Sequence, residues 1–176
     1  NGPAEDLERT HNAQPAILTV SLACLAAANE QTDGSISDMA SFVAGHSLGE
    51  YTALAAADVL DTADAIWLVR ERGRLMQLAC EEQRGTMAAI IGFPEGKLED
   101  ICQEVGVQIA NINCPGQLVI SGEELAVVKA MEIAADMGAK RTLKLKVSGA
   151  FHSNLMGSAL DGMAKVLEVV SFRTPS

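Results

Sequence analysis

Val43-Ala44-Gly45-His46-Ser47-Leu48-Gly49-Glu50 is the stretch whose reading decides the fold. Gly45, Ser47 and Gly49 have the G-x-S-x-G spacing of a nucleophile elbow, in which a strand turns so sharply into a helix that the serine hydroxyl stands exposed at the bend. Small flanking residues suit such a bend: Gly45 and Gly49 remove Cβ atoms that would collide where the helix packs back on the strand. Ser41-Phe42-Val43-Ala44 reads as a short buried strand. Residues 50–57 open a helix, with Glu50 in the first turn, where the macrodipole favours an anion. A glycine-flanked turn with an inert serine shares the pattern; the strand before and the alanine-rich helix after favour the nucleophile.

Composition bounds what such a serine can do. The 176 residues are 48% hydrophobic and 20% charged, enough to bury a core as one domain or a domain with a small insert. A formal net charge of -10 disfavours nucleic acid and anionic membranes as partners. Cys24, Cys80, Cys102 and Cys114 are spread without a C-x-x-C pair, which predicts reduced thiols in a reducing compartment and argues against a zinc site. The longest apolar run, Ile17 to Ala28, is too short for a membrane span, and no basic leader precedes it. The expectation is a protein of the cytoplasm with no metal.

Outward from the elbow, Asn1 to Asn12 reads as a frayed polar beginning and Gln14-Pro15-Ala16 as a helix start with proline at its first position. Ile17 to Asn29 is apolar on nearly every face, the pattern of a helix buried between other elements. Glu30 to Asp38, with Asp33-Gly34, is a polar loop. Beyond the elbow helix, Asp61 or Thr62 caps a second long helix to about Glu82, with Ile66, Val69, Leu75, Met76 and Ala79 facing a core. Arg70, Arg72 and Arg74 interrupt it; such a cluster is usually a solvated face, with room for one arginine to point inward beside Gly73.

From Gly85 the elements shorten: a strand over 86–91, a helix over 94–104, strands over 107–112 and 118–121 joined by Asn113-Cys114-Pro115-Gly116-Gln117, a helix over 123–137 ended by Gly138, and a strand over 141–147. That β-α-β-β-α-β order is ferredoxin-like. It predicts a subdomain at 85–147 inserted into a layer formed by 1–84 and 148–176. Lys140, Lys144 and Lys146 alternate with Leu143 and Leu145, as in a solvated sheet edge guarded by lysines, or a landing patch for an acidic partner or phosphate.

Ser47 needs a base, because a free hydroxyl is a poor nucleophile at neutral pH. His11 lies in the polar leader and His46 is adjacent to the serine, whereas His152, in Ser148-Gly149-Ala150-Phe151-His152-Ser153, sits in a loop before a helix, where catalytic groups reside. Loop histidines are as often structural, so position alone leaves both readings open. No acid is obvious as a third member: Asp136 and Glu124 fall on helices of the insert.

Gly45-His46-Ser47-Leu48-Gly49-Glu50-Tyr51, with Gln14-Pro15-Ala16 before it and Arg72-Gly73-Arg74-Leu75-Met76-Gln77 after it, resembles the malonyl-CoA:acyl-carrier-protein transacylases and the acyltransferase domains of fatty-acid and polyketide synthases. Asn113-Cys114-Pro115-Gly116-Gln117-Leu118-Val119-Ile120-Ser121-Gly122 and Gly149-Ala150-Phe151-His152-Ser153 continue the match in the family's order, over nearly the whole chain.

The resemblance implies an α/β-hydrolase-like core with the ferredoxin-like subdomain between nucleophile and histidine. It implies ping-pong transfer of malonyl from coenzyme A, as substrate rather than resident cofactor, to the phosphopantetheine thiol of acyl carrier protein. Ser47 would be the nucleophile, His152 the base, and the Leu48 backbone N–H an oxyanion donor. Arg72 would pair with the malonyl carboxylate, and Phe151 would accompany malonyl choice. Gln14, Asn113 and Gln117 match positions lining the site. Family members also have a strand and glycine-rich loop before the part seen here and further strands after it, so the expectation is a chain truncated at both ends, less stable than a longer one. The alternatives are a serine hydrolase or thioesterase, and an inactive fragment that only binds coenzyme A or carrier protein.

Overall fold

The computed structural model describes residues 2–32 and 39–175, so Asp33-Gly34 of the expected loop lies outside the described residues. The chain forms two compact units, Asn1–Leu75 with Asp161–Ser176, and Met76–Leu160.

Among its described residues, the first unit is helical. It contains α1 (Ala4–Glu8), α2 (Thr10–Asn29), α3 (Gly49–Ala56), the first part of α4 (Thr62–Glu82) and the last part of α7 (Gly157–Leu167). Its core is Leu18, Leu60, Ala65, Leu68 and Val69, with Leu22, Leu54, Met163 and Val166 packed around them. The Asp61 carbonyl accepts the Ala65 N–H at 2.8 Å at the start of α4. Arg173 ties the C-terminal segment to the loop before α4, through the Asp58 carbonyl and the Asp61 carboxylate, both at 2.9 Å.

Three expectations for this unit change. The polar leader is helical, and Pro15 lies inside α2, which begins at Thr10. Proline is tolerated there because its missing N–H removes a single hydrogen bond near the helix start. The apolar α2 is not enclosed: of its residues only Thr10, Gln14 and Leu18 are buried, while Ile17 is 56% and Val20 62% exposed. Ser41-Phe42-Val43-Ala44 is neither strand nor buried, with Phe42 93% exposed. A strand requires a hydrogen-bonded neighbour, and the described elements of this unit are helices that offer none.

The second unit holds β1 (Thr86–Ile91), α5 (Glu95–Val105), β2 (Gln108–Cys114), β3 (Gln117–Gly122), α6 (Glu124–Asp136) and β4 (Arg141–Lys144). The strands form one antiparallel sheet in the order β2-β3-β1-β4. Ala88 and Ile90 of β1 and Leu118 and Ile120 of β3 meet Leu98 and Ile101 of α5 and Val127, Ala130 and Ala134 of α6 in a dry core. The period of two on the strands and of three to four on the helices places these residues on facing surfaces. Gly106 ends α5 in the left-handed conformation, at φ 80°. Pro115-Gly116 alone turns β2 into β3, with Gly116 at φ 77°, so Asn113 and Gln117 belong to the strands rather than to a five-residue loop. The edge strand β4 stops at Lys144, which pairs with Glu124, and Leu143 is 39% exposed. This compact unit is larger than the 85–147 read from the sequence, since it takes in the end of α4 and the loop carrying His152.

Candidate active site

Ser47 occupies the bend before α3 at φ 53°, a left-handed conformation that a residue with a side chain rarely adopts. Holding a non-glycine residue there costs on the order of 1–3 kcal/mol and persists only where the surroundings enforce it. They do so here. The Gly49 N–H donates to the His46 carbonyl at 2.9 Å and the Tyr51 N–H to the Leu48 carbonyl at 3.1 Å, closing the turn into α3. A Cβ on Gly45 would overlap the Gly49 carbonyl group and the Glu50 nitrogen, so the approach to the bend passes against the helix start with room for glycine alone. Gly49 does not share this role. Among the described residues a Cβ there meets nothing within 4 Å, which corrects the symmetrical reading of the two glycines.

Of the three arginines on α4, Arg72 is the one turned inward. Its Nη2 donates to Ser47 Oγ at 3.1 Å and its Nη1 to Gln14 Oε1 at 2.6 Å. Arg70 and Arg74 are exposed, and Arg74 pairs with Glu71 at 2.8 Å. Burial lowers the Arg72 pKa from its ordinary value, opposed by Tyr51 and Glu50, and the guanidinium stays cationic. Burial likewise raises the Tyr51 hydroxyl, whose ring centroid lies 5.8 Å from Arg72 Cζ. Gln14 sits against Arg72 because α2 and α4 touch at Gly73, where a Cβ would lie 2.7 Å from His11 Cα and 2.9 Å from the Thr10 carbonyl. On its other side the Gln14 amide donates to Thr10 Oγ1 at 2.8 Å. Leu48 immediately precedes α3, so its N–H belongs to the first-turn donors at the positive end of that helix.

His152 belongs to the second unit, in a turn at φ 57°, and is exposed. The turn is tied on both sides. Ser153 Oγ donates to the Ala150 carbonyl at 2.7 Å and accepts the Leu155 N–H at 3.3 Å. The Asn154 N–H donates to Gln108 Oε1 at 2.6 Å. Ala150 is fully buried against Gly85, and Gly149 packs on the Cys80 side chain. Phe151 is half-buried. Asn113 stands five residues along β2 from Gln108, a rise of roughly 16 Å. With Gln117 it lies at the opposite end of the strand from the Asn154 tether.

The structure therefore brings Ser47, Leu48, Arg72 and Gln14 together in the first unit. It holds His152 and Phe151 in one loop of the second, with Asn113 and Gln117 at the hairpin tip. The sequence reading missed Thr10 and Tyr51. For Thr10 a signal was present: it lies four residues before Gln14 on α2, the spacing that stacks side chains on one helix face. Among the described residues no group of His, Cys, Asp or Glu side chains could hold a metal ion, and no helix is long and apolar enough to cross a membrane.

The structure thus sets a strained serine at a helix start beside a semi-buried guanidinium, and the sequence profile of the acyl transferase domain matches residues 1–176. The chain belongs to that family. It is 46% identical over 177 residues to the malonyl CoA-acyl carrier protein transacylase of Bacillus subtilis (strain 168), covering 98% of this chain and 54% of that protein. Its structure matches acyl-carrier-protein-S-malonyltransferase from Bartonella henselae with a TM-score of 0.92 at 46% identity, covering 99% of this chain and 57% of that one. A malonyl-transacylase solved in complex with its type II PKS acyl-carrier protein matches with a TM-score of 0.93 at 43% identity, again covering 99% and 57%. The chain thus spans about half the length of the relatives it matches.

Proposed function

We propose that this chain carries the nucleophile and the acid-recognition half of an acyl-carrier-protein S-malonyltransferase. In this reading Ser47 Oγ attacks the thioester carbonyl of malonyl-CoA while His152 takes its proton. Coenzyme A leaves as the thiol, and the malonyl group rests on Ser47 as an ester. His152 then deprotonates the phosphopantetheine thiol of acyl carrier protein, which takes the malonyl group and restores the serine. The Leu48 N–H stabilises each tetrahedral oxyanion from the positive end of α3. No resident cofactor enters these steps.

The observation that carries the reading is the Arg72 contact with Ser47 Oγ at 3.1 Å. A malonyl carboxylate carbon is three bonds from that oxygen, so a guanidinium already touching Oγ reaches it and can grip it bidentately. An acetyl group would leave the same cation unpaired. Phe151, Asn113 and Gln117 belong to the acyl or pantetheine path in this reading. The β-α-β-β-α-β order and the β2-β3-β1-β4 sheet support a ferredoxin-like subdomain, and the elbow supports an α/β-hydrolase-like core in 1–84 and 148–176. Free thiols at Cys24, Cys80, Cys102 and Cys114 support a reducing, cytoplasmic setting.

The test is intact-mass analysis of the full-length chain after incubation with malonyl-CoA, with and without acyl carrier protein. A malonyl adduct that forms on the parent, is absent in Ser47→Ala and is discharged by carrier protein is the expected result. Discharge to water at the same rate without carrier protein would make the protein a hydrolase instead. Arg72→Ala should lower malonyl transfer while sparing acetyl transfer, and equal loss on both donors would remove Arg72 from its role.

A further inference from the structure

Arg72 offers only donors, so the atom of Gln14 facing it must be the amide oxygen, as found at 2.6 Å. That choice turns the Gln14 NH2 the other way, on a residue that is only 5% exposed. It needs an acceptor there, and Thr10 Oγ1, itself on a residue only 8% exposed, accepts it at 2.8 Å. Were the amide to flip, its NH2 would face the guanidinium, donor against donor, and Arg72 would lose a partner that holds it over Ser47. Thr10 lies one turn before Gln14 on α2, where Gly73 lets the helix backbone approach α4.

We propose that Thr10 is a positioning residue for acyl-donor selectivity: its hydroxyl locks the Gln14 amide in the one orientation that holds Arg72 for a carboxylated acyl group. The inference rests on the reading of Arg72 as the carboxylate's partner, and its test separates the two. Thr10→Val keeps the shape of the side chain and removes the acceptor, whereas Thr10→Ser keeps the acceptor.

In the full-length chain, rates of Ser47 acylation by malonyl-CoA and acetyl-CoA would be followed across donor concentration. Thr10→Val should reduce the malonyl-over-acetyl preference about tenfold, the scale of one buried hydrogen bond, chiefly through KM for malonyl-CoA. Thr10→Ser should stay within about threefold of the parent. Because Thr10 acts through Gln14, adding Thr10→Val to Gln14→Met should change the preference no further. Three results overturn the proposal: an unchanged preference in Thr10→Val, equal loss on both donors, or the same shift with and without Gln14. If Thr10→Val does not fold, Thr10→Ala in the same Gln14 cycle gives the same decision. Arg72→Ala losing both donors equally, or a parent that forms no ester, overturns the underlying reading instead.

Discussion

The sheet core of the second unit and the outer face of α2 in the first treat apolar residues in opposite ways. In the second, Leu118 and Ile120 on β3 and Leu98 on α5 are 0 or 1% exposed, because the strands pair with one another and two helices close one face. In the first, α2 carries the apolar run from Ile17 to Ala28, yet Ile17 and Val20 are more than half exposed, and Phe42 beside the elbow is 93% exposed. A periodic apolar pattern states which surface can be buried. Burial itself requires a complementary surface, which the sheet unit supplies from its own neighbouring strands and helices. No described residue covers the outer side of α2. Within the first unit the elbow and its arginine are built to tight tolerance, with Gly45, Gly73 and Gln14 all in close contact.

The largest effect should therefore come from Gly45→Ala. Its Cβ would overlap backbone atoms of Gly49 and Glu50, which cannot rotate away as a flexible side chain would. We expect destabilisation of about 4 kcal/mol or more, at the far end of the range for single substitutions, measured as a fall in the urea midpoint. The Ser47 ester should be lost with it. A Gly45→Ala chain as stable as the parent would mean that the bend is looser than its strained serine indicates.

The contrast between units has its own test at a smaller scale. Leu118→Ala opens a cavity in the dry sheet core and should cost about 2–5 kcal/mol. Ile17→Ala removes an exposed side chain of similar size and should change stability by no more than about 0.5 kcal/mol. Comparable losses at the two positions, read from the same denaturation series, would show that α2 is covered in solution.

Where the sequence was legible follows the same division. The boundaries of β1, α4, α5 and α6 fall within a residue or two of the expected ones, because alternation, helical period and stop signals such as Gly106 and Gly138 are local. The bend at Ser47 was legible from glycine spacing, whereas the arginine cluster left open which side chain turns inward, and Arg72 was singled out by the family resemblance. The absence of a strand at Ser41–Ala44 was not legible, because strand formation depends on a neighbour the sequence does not name. Thr10 and Tyr51 escaped notice because their importance comes from contact across elements, through a Gln14 amide and a guanidinium face. The length of the β2–β3 turn was misjudged for a simpler reason. Pro115-Gly116 satisfies the turn alone, since proline presets one φ and Gly116 supplies the positive one.

The smallest expected effect falls at the second glycine of the elbow. Gly49 is the first residue of α3, its φ is not in the left-handed region, and a Cβ there meets no described residue within 4 Å. Glycine thus brings only its cost in chain entropy and helix propensity. Gly49→Ala should raise stability by about 0.4–1 kcal/mol, seen as a higher urea midpoint at unchanged slope, and leave Ser47 acylation close to that of the parent. The motif places glycines symmetrically about the serine, but the geometry makes them unequal: Gly45 lies against the start of α3, whereas Gly49 has no such neighbour among the described residues. A loss at Gly49 approaching that at Gly45 would restore the symmetrical reading and require a surface packed against the outer side of α3.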